Sequence, residues 1–414
     1  MKLRPIMVGT LTMALLLNGV APLSYGATTA QATSVVKTNA MSVDEAMQKA
    51  KAYSMQIRQI TAAKESAMRG YSAAESGGAK AGNMLYEYNV FQKLSENGAT
   101  DPMQVATLEM YRAMFGGSPS LSFEQMYDQF IIPSEVSPYK VYVQFQGLKL
   151  DEPSVISGVE YQTKQMYYGV LSYQHSLLLM QESIGITQKK IQELELKYKA
   201  GQVAKATLEM EKLTYSKNLL ELDKQKKELK ILETSFNGLL GNADNTPVVL
   251  KEVGLLNAPG VISYETLVLQ AFKNRADLKK SQLEIDSLTH EVKIMSGYLR
   301  DPKSDRRIDA DQRLLSAKLA KMTLENNVKT EILDAYNTYK LAQEQLSISA
   351  KKVALSEKQL SKIKQLLKVG YAKKLDVFGV ELQLQNSKLG YESAVYEYNK
   401  QLDAISRITV HALN

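Results

Sequence analysis

The side chains that could catalyse a reaction or bind a metal ion are few and scattered along this chain. Its three histidines, His175, His290 and His411, stand far apart in the sequence. None is followed three or four positions later by a carboxylate or a second histidine, the spacing that metal sites on helices use. There are no cysteines, which excludes disulfides, thiolate metal sites and cysteine nucleophiles. With no Gly-rich phosphate loop and no nucleophile elbow, the sequence predicts no enzyme, no catalytic residue, no cofactor and no metal.

The composition indicates long helices rather than sheets. Of the 414 residues 44% are hydrophobic and 23% are charged, while there are only 10 prolines and no tryptophan. The formal net charge of +7 is spread along the chain. A nucleic-acid partner would need a concentrated basic face with interleaved aromatic residues, and none is present.

Residues 1–32 read as a secretory signal peptide. Lys2 and Arg4 form a positive start, an apolar stretch follows, and small residues then provide a cleavage site. The alternative is a short membrane anchor, but the apolar stretch is too short and too interrupted to span a bilayer. We therefore expect an exported protein of the cell envelope.

The strongest signal is an internal repeat of apolar residues spaced seven apart. A first set reappears 169 positions later, and beyond a glycine a second set does the same, so that Gly201 corresponds to Gly370. The first set is Val170, Leu177, Ile184, Ile191 and Tyr198, matched by Tyr339, Leu346, Val353, Leu360 and Leu367. The second is Leu208, Tyr215, Leu222, Leu229 and Phe236, matched by Val377, Leu384, Tyr391, Tyr398 and Ile405.

A seven-residue apolar repeat keeps one stripe of a helix against a partner helix, and a glycine lets the chain reverse between two such helices. The sequence thus predicts an all-α protein made of two long antiparallel coiled-coil hairpins. The first would use residues 153–199 and 203–240, and the second residues 311–368 and 372–408. The alternative, ordinary core helices of a compact bundle, rarely has such long arms with polar outer faces.

A weaker repeat precedes each hairpin, where Ser42 and Ser263 can each cap a short helix. We expect a first repeat at 33–241, a linker at 242–260 and a second repeat at 261–414. The first repeat would contain an insertion of irregular structure and short helices at 78–153. Residues 140–146 alternate apolar and polar side chains and predict one strand inside it.

This organisation resembles the TolC family of outer-membrane efflux proteins. The resemblance is carried by the sequence 196–203 around Gly201, by its echo at 367–372, by 375–377 opening the helix after the second tip, and by 239–241 closing the first half. It implies a homotrimer forming a twelve-helix tube, which works with a periplasmic-type adaptor and an inner-membrane pump. The tips implied to dock that adaptor are Gly201, Gln202, Val203, Gly370, Tyr371 and Ala372. It also implies a channel constriction at Asp376, whose alternative role is that of an acidic residue at a helix N-terminus.

The sequence departs from the family where each half should insert a β-hairpin that enters the membrane. The second connector, residues 296–307, is a short charged loop, and the first predicts short helices with a single strand. We therefore expect a TolC-like helical body with little or no β-structure, for which insertion into an outer membrane is doubtful. Two functions follow: a passive duct or scaffold component of an efflux or secretion assembly, and alternatively a structural coiled-coil envelope protein without transport.

Overall fold

The computed structural model describes residues 40–258 and 260–411. The predicted signal peptide, 1–32, lies outside the described residues. Within the described ranges the backbone forms helices, turns and one isolated parallel bridge, between Met41 and Leu250. The helices in chain order are α1 (Val43–Tyr53), α2 (Met55–Asn97), α3 (Pro102–Phe115), α4 (Phe123–Met126), a π-helix (Tyr127–Val136), α5 (Ser137–Lys199), α6 (Lys205–Leu240), α7 (Tyr264–Asn274), α8 (Ala276–Tyr298), α9 (Asp305–Lys368) and α10 (Lys374–Ile408).

Four of these helices are the arms of two long hairpins. Helices α5 and α9 have 63 and 64 residues, so each is about 95 Å long at 1.5 Å per residue. Helix α6 returns along α5, and α10 returns along α9. The predicted seam residues are buried or half-buried throughout, except Tyr198, which is 41% exposed near the first tip. The all-α fold of two coiled-coil hairpins is confirmed.

The two halves share a short helix that breaks into a longer one before each hairpin. Ser42 accepts a hydrogen bond from the N–H of Glu45 at the start of α1, and Ser263 accepts one from Thr266 at the start of α7. The joints also match: Ser54, between α1 and α2, has φ −56° and ψ 119°, and Arg275, between α7 and α8, has φ −59° and ψ 129°. The weaker repeat of the sequence is therefore also a repeat of backbone conformation.

The connectors that follow these short helices differ between the halves. In the second half a loop of residues 299–304 joins α8 to α9. In the first half residues 98–136 form α3, α4 and the π-helix, which pack an aromatic cluster against the end of α2. The cluster contains Tyr88, Phe91, Leu108, Tyr111, Phe115, Met126 and Phe130.

The strand predicted at residues 140–146 is wrong, because this segment is the beginning of α5. Aromatic residues stand three apart in and just before this segment, at Tyr139, Tyr142 and Phe145. On a helix these residues share one face, and there Tyr71 of α2 lies 5.5 Å from the ring of Tyr142 and 6.3 Å from that of Phe145. Packing against α2 also extends the first arm back to Ser137, past Pro153, where we expected it to begin.

The linker between the halves lies across one face of the hairpins. The N–H of Met41 donates to the carbonyl of Val249 at 2.9 Å, and the N–H of Lys251 donates to the carbonyl of Met41 at 2.8 Å. The hydroxyl of Tyr167 on α5 is 2.7 Å from the Lys251 carbonyl, and Asn399 on α10 donates to the Gly254 carbonyl at 3.0 Å. The linker thus joins α5 and α10 on the same side.

Within residues 40–258 and 260–411, no helix has both the length and the apolar content needed to cross a membrane.

Candidate functional site: the hairpin tips and the seam between the hairpins

The two hairpin tips have the same hydrogen-bonded turn. At the first, Gly201 has φ +71°, its N–H donates to the Tyr198 carbonyl, and the N–H of Gln202 donates to the Lys197 carbonyl at 2.8 Å. At the second, Gly370 has φ +85° and the equivalent bonds run to the carbonyls 169 positions further on. This is the Schellman motif, in which a glycine in the left-handed region ends a helix. The turn type follows from the glycine that the repeat places there.

The tips present side chains to solvent. Tyr371 is 85% exposed, and Gln202 and both glycines are exposed as well. Val203 is half-buried in an apolar cluster that includes Leu375 of the second hairpin, and Ala372 is half-buried too. The structure therefore brings the two tips to the same end of the molecule, where they form one surface.

Asp376 has a local role at the N-terminus of α10. Its carboxylate accepts a hydrogen bond from the backbone N–H of Lys373 at 2.8 Å, three residues before it. A carboxylate in the first helical turn also interacts favourably with the helix dipole. Its side chain is exposed, and Thr207 takes the same place in the first hairpin.

A second seam joins the first hairpin to the second through α5 and α10, which run antiparallel. Lys164 pairs with Asp403 at 2.8 Å, His175 lies 3.4 Å from Glu392, and Glu193 lies 3.8 Å from Lys374. From one pair to the next, the number of residues along α5 equals the number of residues along α10. The register is thus constant along the seam, from the linker to the tips.

Apolar residues spaced seven apart occupy the middle of this second seam. On α5 they are Leu179 and Ile186, which belong to the same heptad position as Glu193. On α10 they are Leu382 and Leu389, which share a heptad position with Leu375. All four are half-buried. Sequence analysis missed this seam, although its heptad is visible beside the one that closes each hairpin.

The outer arms, α6 and α9, carry the equivalent residues without a covering helix. Moving 169 positions from the α10 residues gives Leu213 and Leu220 on α6, and moving the same distance from the α5 residues gives Ile348 and Leu355 on α9. They are 68%, 72%, 46% and 57% exposed, respectively. Helix α6 therefore carries the apolar stripe that α10 uses in the second seam, and α9 carries the stripe that α5 uses, but both stripes are exposed.

The three histidines make separate structural contacts. His175 places Nε2 2.7 Å from a carboxylate oxygen of Glu252 in the linker. His290 packs on the ring of Tyr139 at 4.3 Å, and His411 lies 2.7 Å from the hydroxyl of Ser154. Among the residues that the structure describes, no group of histidines and carboxylates has the arrangement of a metal site.

Comparison with known proteins gives matches in structure only. No family model matches the chain, and no curated protein matches its sequence. The solved structure of the outer-membrane channel OprN superposes with a TM-score of 0.64 at 10% identity, covering 89% of this chain and 89% of OprN. CusC, studied for the conformational changes that accompany its folding and transmembrane channel formation, gives 0.62 at 12% identity and covers 89% and 92%.

A third match is the open state of the MtrE outer-membrane channel of Neisseria gonorrhoeae. Its TM-score is 0.53 at 10% identity, and the match covers 90% of this chain and 89% of MtrE. These structures are TolC-family outer-membrane efflux channels, as the tip motifs and the duplicated hairpins led us to expect. The described chain therefore has the fold of the helical part of the TolC-family efflux channels.

Proposed function

We propose that three copies of this exported chain close into a tube of twelve long arms, which serves as the duct of an efflux or secretion assembly in the cell envelope. The tube confines a substrate and supplies no energy, so an inner-membrane pump must drive transport. An adaptor of the periplasmic type would bind the tips and couple the duct to that pump. The likeness in fold to efflux channels supports this function.

The observation that carries the proposal is the exposed apolar stripe on each outer arm, α6 and α9. Inside the chain, half-buried leucine and isoleucine residues join α5 to α10. The same residue types at equivalent positions of α9 and α6 are left exposed. Exposed apolar stripes at heptad spacing favour a partner helix, and the two stripes complement each other in the way that α5 and α10 do. A contact between α9 of one copy and α6 of the next repeats the internal seam and generates a ring.

The faces of the hairpins also suit a tube. The linker covers the face on which Tyr167 and Asn399 lie. A lumen would occupy the opposite face, which stays free of the linker. There the hydroxyl of Ser176 on α5 donates a hydrogen bond to the buried Gln225 of α6 at 3.4 Å, so a polar contact joins the two arms on that side.

Paired cysteines test the ring directly, because the chain has no cysteine of its own. By the internal register, Leu355 of one copy lies beside Leu213 of the next. Oxidation of the variant Leu355→Cys with Leu213→Cys should produce covalent dimers and trimers, and no larger species. Light scattering of the unmodified chain should give the mass of three copies.

Two further cysteine pairs serve as matched controls. Ile186→Cys with Leu382→Cys is the equivalent pair inside one chain, and it should crosslink without any increase in mass. Leu341→Cys with Leu213→Cys shifts one residue by two heptads, or about 21 Å, and should not crosslink. A stable monomer, or a ladder that continues past the trimer, contradicts the proposed tube.

Docking at the tips is tested with a photoreactive amino acid at Gln202 or at Tyr371 in cells. The expected product is an exported coiled-coil adaptor attached to both sites, and not to the same group placed at Met103 in α3. If neither tip gives such a product, the chain is not coupled to a pump in this way. A ring that forms without any adaptor would favour the structural role in the envelope.

A further inference from the structure

A large cavity lies where α10 ends, between the first part of α5 and helix α8. Its volume is about 1520 Å³. Most of its wall is apolar and comes from three helices. These side chains are Val143, Leu148 and Val155 on α5, Leu283 and Leu288 on α8, and Leu324 on α9. A cavity of this size and lining can hold a long apolar group.

Most charged groups at this cavity already have partners of opposite sign. Lys280 lies 2.7 Å from a carboxylate oxygen of Asp151, and Lys140 lies 2.9 Å from Glu291. Asp277 is bound by Arg275 at 2.7 Å. Glu284 also lines the cavity, but its side chain is exposed to solvent. These groups leave no surplus charge in the buried part of the wall.

Arg407, in the last turn of α10, is different. Among the residues that the structure describes, no carboxylate lies within 4.0 Å of its guanidinium. Its Nε is buried and has no hydrogen-bond partner. The guanidinium packs over the ring of Tyr161, whose centroid is 5.1 Å from Cζ. An aromatic face attracts the cation but cannot accept its N–H groups in the plane.

The charge on Arg407 is not removed by its surroundings. Burial lowers the pKa of Arg407, the charges of Tyr161 and of Glu331 on α9 oppose that shift, and a guanidinium stays protonated in proteins. The neighbouring His411 does not add to the charge, because burial lowers its pKa and leaves the ring neutral near pH 7. The side chain as a whole is half-buried, but a buried N–H without an acceptor is costly, so the Nε of Arg407 favours an oxygen acceptor at this place.

The guanidinium of Arg407 lies against α5 at Gly158. A Cβ at Gly158 would be in ordinary van der Waals contact with Nη2 of Arg407, at 3.5 Å. The same guanidinium borders both the large cavity and a smaller hollow beside it that Lys164 and Asp403 line. Arg407 therefore stands where the large cavity meets a smaller hollow that holds an ion pair.

We propose that this cavity binds an anionic amphiphile, with the acidic head on Arg407 and the apolar tail along the wall formed by α5, α8 and α9. A head with two oxygens matches the planar fork of the guanidinium. The head chemistry is common to a free fatty acid and to a membrane lipid. The proposal concerns a single chain and does not require the ring.

The absence of tryptophan makes the site measurable by fluorescence. In the full chain we would place one tryptophan in the cavity with Val143→Trp, and one outside it with Met103→Trp. The probes are 9,10-dibromostearate, whose bromines quench tryptophan on contact, and vesicles of dibromo-phosphatidylglycerol. Quenching of the cavity tryptophan alone is expected. Quenching by the fatty acid only indicates a soluble amphiphile, and quenching by the vesicles only indicates a bilayer lipid.

Variants of Arg407 test the role of its charge. Arg407→Gln should weaken binding at least ten-fold, Arg407→Lys should weaken it less, and Arg112→Gln, an exposed arginine in α3, should leave it unchanged. The methyl ester of the probe should bind weakly to the chain that retains Arg407, which tests the charge even if a variant fails to fold. Equal quenching of both tryptophans, full binding by Arg407→Gln, or displacement by acetate or inorganic phosphate alone would overturn the proposal.

Discussion

Arg275 ties the second short helix to a long arm, and its removal should be costly. The side chain is 2% exposed and sits at the joint between α7 and α8. Its guanidinium donates to both carboxylate oxygens of Asp277, at 3.0 and 2.7 Å, and to Glu331 of α9 at 2.8 Å. Breaking a buried ion pair by removing one partner costs about 3–5 kcal/mol. Because Asp277 is partly exposed, we expect Arg275→Met to cost about 3 kcal/mol, at the lower end of that range.

Thermal unfolding followed by circular dichroism measures this cost. Unfolding entropy is about 2.1 cal/mol/K per residue, so for roughly 370 residues a loss of about 3 kcal/mol lowers Tm by about 4 °C. The matched control is Arg58→Met, which removes an exposed arginine of α2. That variant should change stability by less than about 0.5 kcal/mol.

The pH dependence provides a second readout for the Arg275 pair. Burial favours the protonated form of Asp277, but the hydrogen bonds from Arg275 outweigh burial and hold the pKa of Asp277 below its ordinary value. A carboxylate with a lowered folded-state pKa stabilises the fold above its unfolded pKa, about 3.9, and loses that contribution as the pH falls through the folded value. The difference in the free energy of unfolding between the original chain and Arg275→Met should therefore decrease below about pH 4. This reasoning would be refuted if that difference stayed constant from pH 7 to pH 3, or if Arg275→Met lowered the free energy of unfolding no more than Arg58→Met does.

Two further changes test the turns and caps. Gly241 and Gly201 have nearly equal φ, +70° and +71°, but a Cβ at Gly241 would overlap the ring of Tyr53, whereas a Cβ at Gly201 would have no atom within 4 Å. Gly201→Ala should lower the free energy of unfolding by about 1 kcal/mol because of the left-handed backbone, and Gly241→Ala should lower it by about 1–3 kcal/mol more. In a double-mutant cycle, Tyr53→Ala should remove that additional cost. Equal costs for the two glycines would contradict the contact. Asp376→Asn should destabilise the second tip by about 0.5–1 kcal/mol, because the amide can still accept the hydrogen bond but the negative charge at the helix N-terminus is lost. Thermal unfolding against Thr207→Asn measures this cost, and a change in channel conductance without a change in stability would instead indicate a constriction.

The arms were predictable because heptad burial is a local property of the sequence. Residues such as Leu177 and Leu346 report the seam of their own hairpin, and Gly201 and Gly370 report its ends. The second seam was also accessible, since Leu382 and Leu389 keep the same period on a neighbouring face. It was missed because in a single hairpin each helix packs against one partner, whereas α5 and α10 each pack against two.

The remaining features depend on contacts between distant segments. Tyr142 and Phe145 fit a strand or a helix equally well until Tyr71 of α2 is known to cover them. Arg407 reads as one more basic residue near a helix C-terminus, which is normally favourable. Only the fold shows that its buried Nε lacks an acceptor and that the side chain faces a cavity. The functional roles of the tips, Gly201 to Val203 and Gly370 to Ala372, remain predictions.

The constant register between α5 and α10 limits how the length of the arms can change. A single inserted residue would turn every later side chain by about 100° and move the heptad off its seam. An insertion of seven residues in α5 preserves the stripe only if α6 and α10 lengthen by seven as well, and α9 must then follow α10. The distance from the linker to the tips can therefore change only in steps of about 10 Å, and all four helices must lengthen or shorten together.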